Sequence, residues 1–143
     1  MINSEKTSEK VFIATDKIST MQSVHSDERR DIREVVIPQV NGTILRIGEI
    51  SIKNAASPET PIVLGNHYHD ADEHFVLLSG SAEVATELHD NPSTAKTETL
   101  EAGDSIVMKP GVAHAFTYTG PGVLRSSSSA TFEDAGMHTH KIA

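Results

Sequence analysis

Four side chains of this 143-residue chain have the types and spacing to hold a single metal ion: His67, His69, Glu73 and His114. His67 and His69 stand two apart in the run LGNHYHDADEHFVLLSG, so in extended backbone both point to one face, about 6 to 7 Å apart. Glu73 follows four residues on and opens the apolar run Phe75 to Leu78, which Gly80 ends. A tight turn at Asp70 to Asp72 is expected to fold the carboxylate back beside the imidazoles. His114 lies in GDSIVMKPGVAHAFTY, at the head of a strand that follows the Pro110-Gly111 turn. Three imidazoles and one carboxylate leave open positions on a six-coordinate ion. These ligands suit one divalent transition metal, and iron, manganese, nickel, copper and zinc all remain open by ligand type. Eight histidines in one chain produce some close pairs by chance. The fixed spacing to a glutamate and to a second module is what argues for a site.

The elements that must carry these residues read as strands. Glu34 to Pro38 and Thr43 to Lys53 are joined by the Asn41-Gly42 turn signal. Asn54 to Pro61 is a loop by composition, placed to form a rim or lid before the histidine pair. Ser81 to Leu88 alternates small and apolar residues. HDNPSTAK follows as a turn with Asn91-Pro92 as its signal, and Lys96 to Leu100 returns as a strand. Ser105 to Lys109, Ala113 to Thr119 and Val123 to Ser128 complete a series of short strands punctuated by Gly and Pro, the pattern of a sandwich or barrel. Upstream, Val11 to Thr15 reads as a strand and SDERRDIRE as a short helical turn capped by Ser26. Alternation from His114 puts Phe116 and Tyr118 on the inward face, and alternation from Glu73 puts Phe75 and Leu77 there. With Arg46 these residues define an expected pocket that is apolar apart from one phenol. Tyr118 is its acid–base candidate, the alternative being a hydrogen bond that orients a ligand.

The two stretches resemble the paired motifs of the cupin superfamily. There the pattern is His-x-His, three or four residues, Glu, six residues and Gly, followed by Gly, Pro, Gly and His. His67, His69, Glu73 and Gly80 stand for the first motif, and Gly103, Pro110, Gly111 and His114 for the second. Pro61, Lys109 and Tyr118 depart from the pattern, and none of them is a ligand position. The resemblance implies an all-β, single-domain jelly-roll β-barrel over residues 26–133. It also implies an N-terminal arm, residues 1–25, that is exchanged between the subunits of a homodimer. A second resemblance, to sugar-nucleotide cupins such as deoxysugar epimerases, rests on Asp27, Arg29, Ile32 and Glu34. The cupin domain of a capsule-sugar reductase has a segment similar to Gly65, Asn66, His67, Tyr68, His69, Glu73 and Phe75 here.

Composition narrows the function classes. A formal net charge of -8 argues against nucleic acid, since phosphate neutralisation needs a basic face. Cysteine is absent, so neither disulfides nor thiol chemistry is available. MINSEKTSEK lacks the apolar core of a signal peptide and no run approaches a membrane span, so a cytoplasmic protein with no membrane association is expected. The partner left is a small-molecule substrate.

The remaining histidines read as structural. His89 falls in a turn and is expected in solvent, and His25 and His74 lie away from the ligand face. His138 and His140 repeat the His-x-His spacing within residues 134–143, read as a loosely held polar tail that meets metal only adventitiously. Three functions compete. The first is a metal-assisted isomerase or epimerase of a sugar or related carbonyl compound, with Arg29, Arg46, Lys109 and Arg125 as phosphate contacts unless they are surface charge. The second is a non-haem metal-dependent dioxygenase. The third is a non-catalytic binding module.

Overall fold

The computed structural model describes residues 19–39, 41–130 and 134–143, and every regular element among them is a strand. The expected strand Val11 to Thr15 and most of the N-terminal arm lie outside the described residues. No helix here is long and apolar enough to cross a membrane. Two antiparallel sheets face each other. The first contains β1 (Gln22–Ser26), β2 (Arg30–Pro38), β3 (Ile44–Ile52), β10 (Gly122–Ser128), β5 (Glu73–Ser79) and β8 (Ser105–Met108), in that order. The second runs β11 (His138–Thr139), β4 (Ile62–Tyr68), β9 (Val112–Tyr118), β6 (Ser81–Leu88) and β7 (Asn91–Glu101). Alternation places Leu64, Val84, Phe116 and Tyr118 of one sheet against Ile52, Phe75, Leu77 and Leu124 of the other, and these form the core. This is the two-sheet jelly-roll arrangement.

Three local expectations are corrected. SDERRDIRE is a hairpin and not a helical turn: Asp27 Oδ1 accepts from the backbone N–H of Arg29 (2.8 Å) and of Arg30 (3.0 Å), turning the chain between β1 and β2. Ser26 bonds the Asp31 carboxylate and caps nothing. Long-range pairing decides this, because β2 matches β3 over nine consecutive positions from Arg30↔Ile52 to Pro38↔Ile44. The HDNPSTAK turn shrinks to His89 and Asp90, with Leu88 opposite Asn91. Pro92 is accommodated in a strand because β7 is an edge of its sheet, where a missing N–H goes unnoticed. Finally, β4 and β5 do not pair as a hairpin. They belong to different sheets, so residues 69–72 carry the chain across the gap.

One irregularity aims the histidines. The pairing of β4 with β9 slips between Gly65 and His67, where Gly65 (φ 103°) and Asn66 (φ 58°) are both left-handed. Such a bulge bends the strand and redirects the side chain that follows it. Gly65 has no room for anything larger, since a Cβ there would lie 2.5 Å from the His114 carbonyl oxygen. Gly65→Ala therefore combines a disfavoured φ with a backbone clash, and it should lower stability by about 2 to 4 kcal/mol in urea unfolding. Gly120→Ala, where a Cβ meets nothing within 4 Å, should change stability by less than about 1 kcal/mol. Equal effects would remove the bulge from this account.

Candidate metal centre

His67 and His114 are direct cross-strand partners on β4 and β9, and His69 follows just beyond the end of β4. One ligating nitrogen from each of His67, His69 and His114 lies within 4.8 Å of the other two. Ring centroids are 4.6 Å apart for His67 and His69 and 4.9 Å for His67 and His114. Glu73 approaches from the opposite sheet. Its Oε1 is 3.6 Å from His69 Nε2 and 4.0 Å from His114 Nε2, too far for hydrogen bonds. Its Oε2 accepts from Arg46 Nη2 at 2.9 Å.

The donor set fits a metal. Glu73 Oε1 is sealed from solvent and has no hydrogen-bond partner among the described residues. A buried carboxylate oxygen is costly without one. An ion bonded at about 2.1 Å sets neighbouring ligand atoms roughly 3 to 3.5 Å apart, so a contraction of the three imidazoles would close them around a cation on the side that Glu73 Oε1 faces. The histidines are oriented from behind. His69 Nδ1 donates to the Gly136 carbonyl and His114 Nδ1 to the Val112 carbonyl at 3.2 Å, which turns the Nε2 side of both rings toward Glu73.

The tail supplies that Gly136 carbonyl, which corrects the expectation of a loose end. His138 and Thr139 pair with Tyr68 and His67 as β11, and His140 N donates to Asn66 O at 2.8 Å. Asn66 Oδ1 accepts from the N–H groups of Ile142 (2.8 Å) and Ala143 (2.9 Å), so the left-handed residue of the bulge also ties down the tail. His138 binds the Asp70 carboxylate (3.0 Å) and His140 binds Glu87 (2.7 Å). Neither belongs to the metal cluster. Tyr68 is stacked between His89 and His138 on the outer face, with centroid distances of 4.2 and 4.7 Å. His89 is exposed, though capped by this stacking.

Beside the imidazoles opens a cavity of about 680 Å³ between the sheets. Phe75, Phe116 and Arg46 line it, with the two phenyl centroids 4.8 Å apart. Leu77 and Tyr118 do not. Both are fully buried in the core, and the Tyr118 hydroxyl has no hydrogen-bond partner among the described residues. Burial pushes its pKa upward, away from any useful acid–base range. Tyr118 lies four residues beyond His114 at the end of β9, in the core and past the cavity, so the expected phenol is replaced by other groups. Glu34 lines the wall instead, its Oε2 3.8 Å from Arg46 Nη1. Alternation along β2 from Ile32 signals this, once β2 is known to be a strand. Arg29 and His25 also line the cavity, while Lys109 and Arg125 are not among its lining residues and Arg125 pairs with Glu49 at 3.2 Å. Asn54 to Pro61 contributes no lining residue.

Burial and the neighbouring imidazoles lower the pKa of His67 to about 4, and burial lowers that of His114 to about 4. Burial raises that of Glu73 despite the opposing effects of His69 and Arg46. Both depressed histidines are neutral at pH 7, as metal ligands must be. In the metal-free protein the unfolded chain takes up these two protons first. Stability contributed by His67 and His114 is therefore lost as the pH falls from about 6.5 to about 4, and proton uptake by Glu73 offsets part of it. Urea unfolding of metal-free protein should show this decline, with a shallower slope in His114→Gln. A slope unchanged by that substitution would contradict the burial of a neutral imidazole.

Residues 58–126 match the family model of the cupin domain. No curated protein matches the sequence. Several solved structures share the fold. The capsular polysaccharide assembling protein CapF from Staphylococcus aureus aligns with a TM-score of 0.67 at 14% identity, covering 90% of this chain and 34% of that one. A single-substitution variant of oxalate decarboxylase from B. subtilis aligns with a TM-score of 0.64 at 14% identity, covering 87% and 33%. Hydroxypropylphosphonic acid epoxidase from S. wedmorenis aligns with a TM-score of 0.56 at 17% identity, covering 76% and 55%. The chain thus spans about a third of the first two and just over half of the third, and identities this low speak to the fold. The motif residues His67, His69, Glu73 and His114 all fall within this match, and residues 58–126 form a cupin domain.

Proposed function

We propose that the protein is a metal-dependent enzyme that isomerises a sugar or related small carbonyl compound. The observation that carries this reading is the cluster of three imidazoles, with buried Glu73 Oε1 3.6 Å from His69 Nε2 and 4.0 Å from His114 Nε2, at the wall of a cavity large enough for a small molecule. A divalent transition metal held by His67, His69, Glu73 and His114 supplies Lewis-acid polarisation of a carbonyl oxygen. Arg46 holds Glu73 from behind, and Phe75 and Phe116 keep water from the reacting carbons.

Glu34 is the base this wall offers. One guanidinium separates it from Glu73, and it faces the cavity. The proton on the carbon beside the carbonyl passes to a Glu34 oxygen as the C–H electron pair shifts toward the carbonyl oxygen. Delivery of that proton to the former carbonyl carbon, with the hydroxyl proton passing between the two oxygens, completes an aldose–ketose exchange. A single base suffices. The likeness in fold to a capsular polysaccharide assembling protein supports a sugar-like substrate.

Freshly purified protein should contain close to one transition-metal ion per chain by elemental analysis, and His114→Ala should lose most of it. Incubation of loaded protein with a panel of aldoses and ketoses in heavy water should place deuterium beside the carbonyl. Glu34→Gln should slow that exchange about a hundredfold or more while keeping its metal. Metal-free wild type, or full exchange in Glu34→Gln, contradicts the assignment.

The apolar lining by Phe75, Phe116, Leu64 and Leu124 favours a second reading, a metal-dependent oxygenase. The fold likeness to an epoxidase points the same way. Protein reconstituted anaerobically with ferrous iron would then consume oxygen in the presence of substrate. Oxygen uptake without deuterium exchange selects this reading, and exchange without uptake selects the isomerase.

A further inference from the structure

The cavity has a second polar end. Arg30, Ile32 and Glu34 alternate onto the cavity face of β2, opposite Ile52, Ile50 and Gly48 of β3. Gly48 is bare for a reason: a Cβ there would lie 2.8 Å from Arg46 Nη1 and 2.7 Å from Ser126 Oγ, so the glycine makes way for the guanidinium that serves Glu73. Away from that point the wall becomes apolar at Ile32 and Ile50 and then cationic at Arg30. Four residues of strand, about 13 Å of backbone, separate Glu34 from Arg30.

The charges at the two ends are balanced differently. Arg46 is matched by Glu73 and Glu34. At the far end Arg29, Arg30 and His25 all line the cavity. Asp27 serves His25 at 2.8 Å and Arg29 at 3.6 Å, and its other oxygen already accepts two backbone N–H groups. Arg30 is left over. Among the described residues its guanidinium has no ion pair or hydrogen bond, and its Nε is closed off from solvent. A buried guanidinium N–H without an acceptor is unfavourable, and native proteins seldom retain one unless something else occupies it.

We infer that Arg30, flanked by Arg29 and His25, is the binding site for an oxyanion at the end of the substrate remote from the metal. Resting on the metal-enzyme reading, this narrows the substrate class to carbonyl compounds with a terminal phosphate or carboxylate. A planar fork of donors suits either group. The isoleucines between the two ends fit the carbon chain that joins them.

Binding of simple probes tests this without knowledge of the substrate. Phenyl phosphate, phenylacetate and the neutral 2-phenylethanol are titrated calorimetrically into wild type, Arg30→Met, Arg30→Lys and His114→Ala, each first shown to melt cooperatively. At least one anion should bind wild type about ten or more times tighter than the alcohol. That preference should fall at least about tenfold in Arg30→Met, be largely kept in Arg30→Lys and survive in His114→Ala. The tighter anion identifies phosphate or carboxylate as the head group. Absence of any anion preference in wild type, or its persistence in Arg30→Met, overturns the proposal. Loss in His114→Ala alone also overturns it, because the anion would then sit on the metal. Failure of metal loading with the Arg30 dependence intact would instead tell against the metal reading only.

Discussion

The structure depends on a carboxylate placed where two sheets face each other. Glu73 begins β5 in one sheet and meets His114 of the other sheet and His69 of the connection between them, so its burial is imposed by the packing of the sheets. A carboxylate removed from water must be compensated, and one hydrogen bond from Arg46 satisfies only one of its oxygens. The second oxygen has no hydrogen-bond partner among the described residues and faces His69 and His114. Arg46 in turn needs Gly48 bare and Ser126 and Glu34 close by, so one buried charge sets the identities of residues on β2, β3 and β10.

The imidazole side is fixed by backbone and not by charge. A slip of register at Gly65 and Asn66 turns β4 so that His67 points across to His114, and no residue with a Cβ fits at Gly65. The same bulge is the anchor of the tail, whose Gly136 carbonyl holds His69 from behind. Positioning of the ligands and docking of residues 134–143 are therefore one structural event. A segment that carries few apolar groups is kept in place by backbone pairing and by the Asn66 amide.

Along the cavity the chemistry is graded. Paired charges stand at the imidazole end, phenyl rings and isoleucines line the middle, and Arg30, without an ion pair among the described residues, stands at the hairpin end. An elongated polar molecule would be oriented by such a gradient, because each of its ends would be stabilised by only one end of the cavity.

Much of this could be read from the residues alone. Period-two alternation and Gly/Pro punctuation located most strands, and the spacing of His67, His69, Glu73 and His114 identified the cluster, because both are written in neighbouring positions. Four features were not legible there. SDERRDIRE has the charge pattern of a helix, and only its register with β3 makes it a strand; with that error went Arg30 and Glu34 as cavity residues. Tyr118 and Leu77 share a face with ligands, yet the distance along each strand carries them into the core. The separation of β4 and β5 into different sheets was hidden, because a four-residue connection reads as a hairpin. The tail, polar and rich in histidine, gave no sign that Asn66, 77 residues earlier, would hold it. Local sequence determined which faces are apolar and which side chains can bind metal. Tertiary structure decided which of them meet, because contacts between residues far apart in the chain leave no mark on local periodicity.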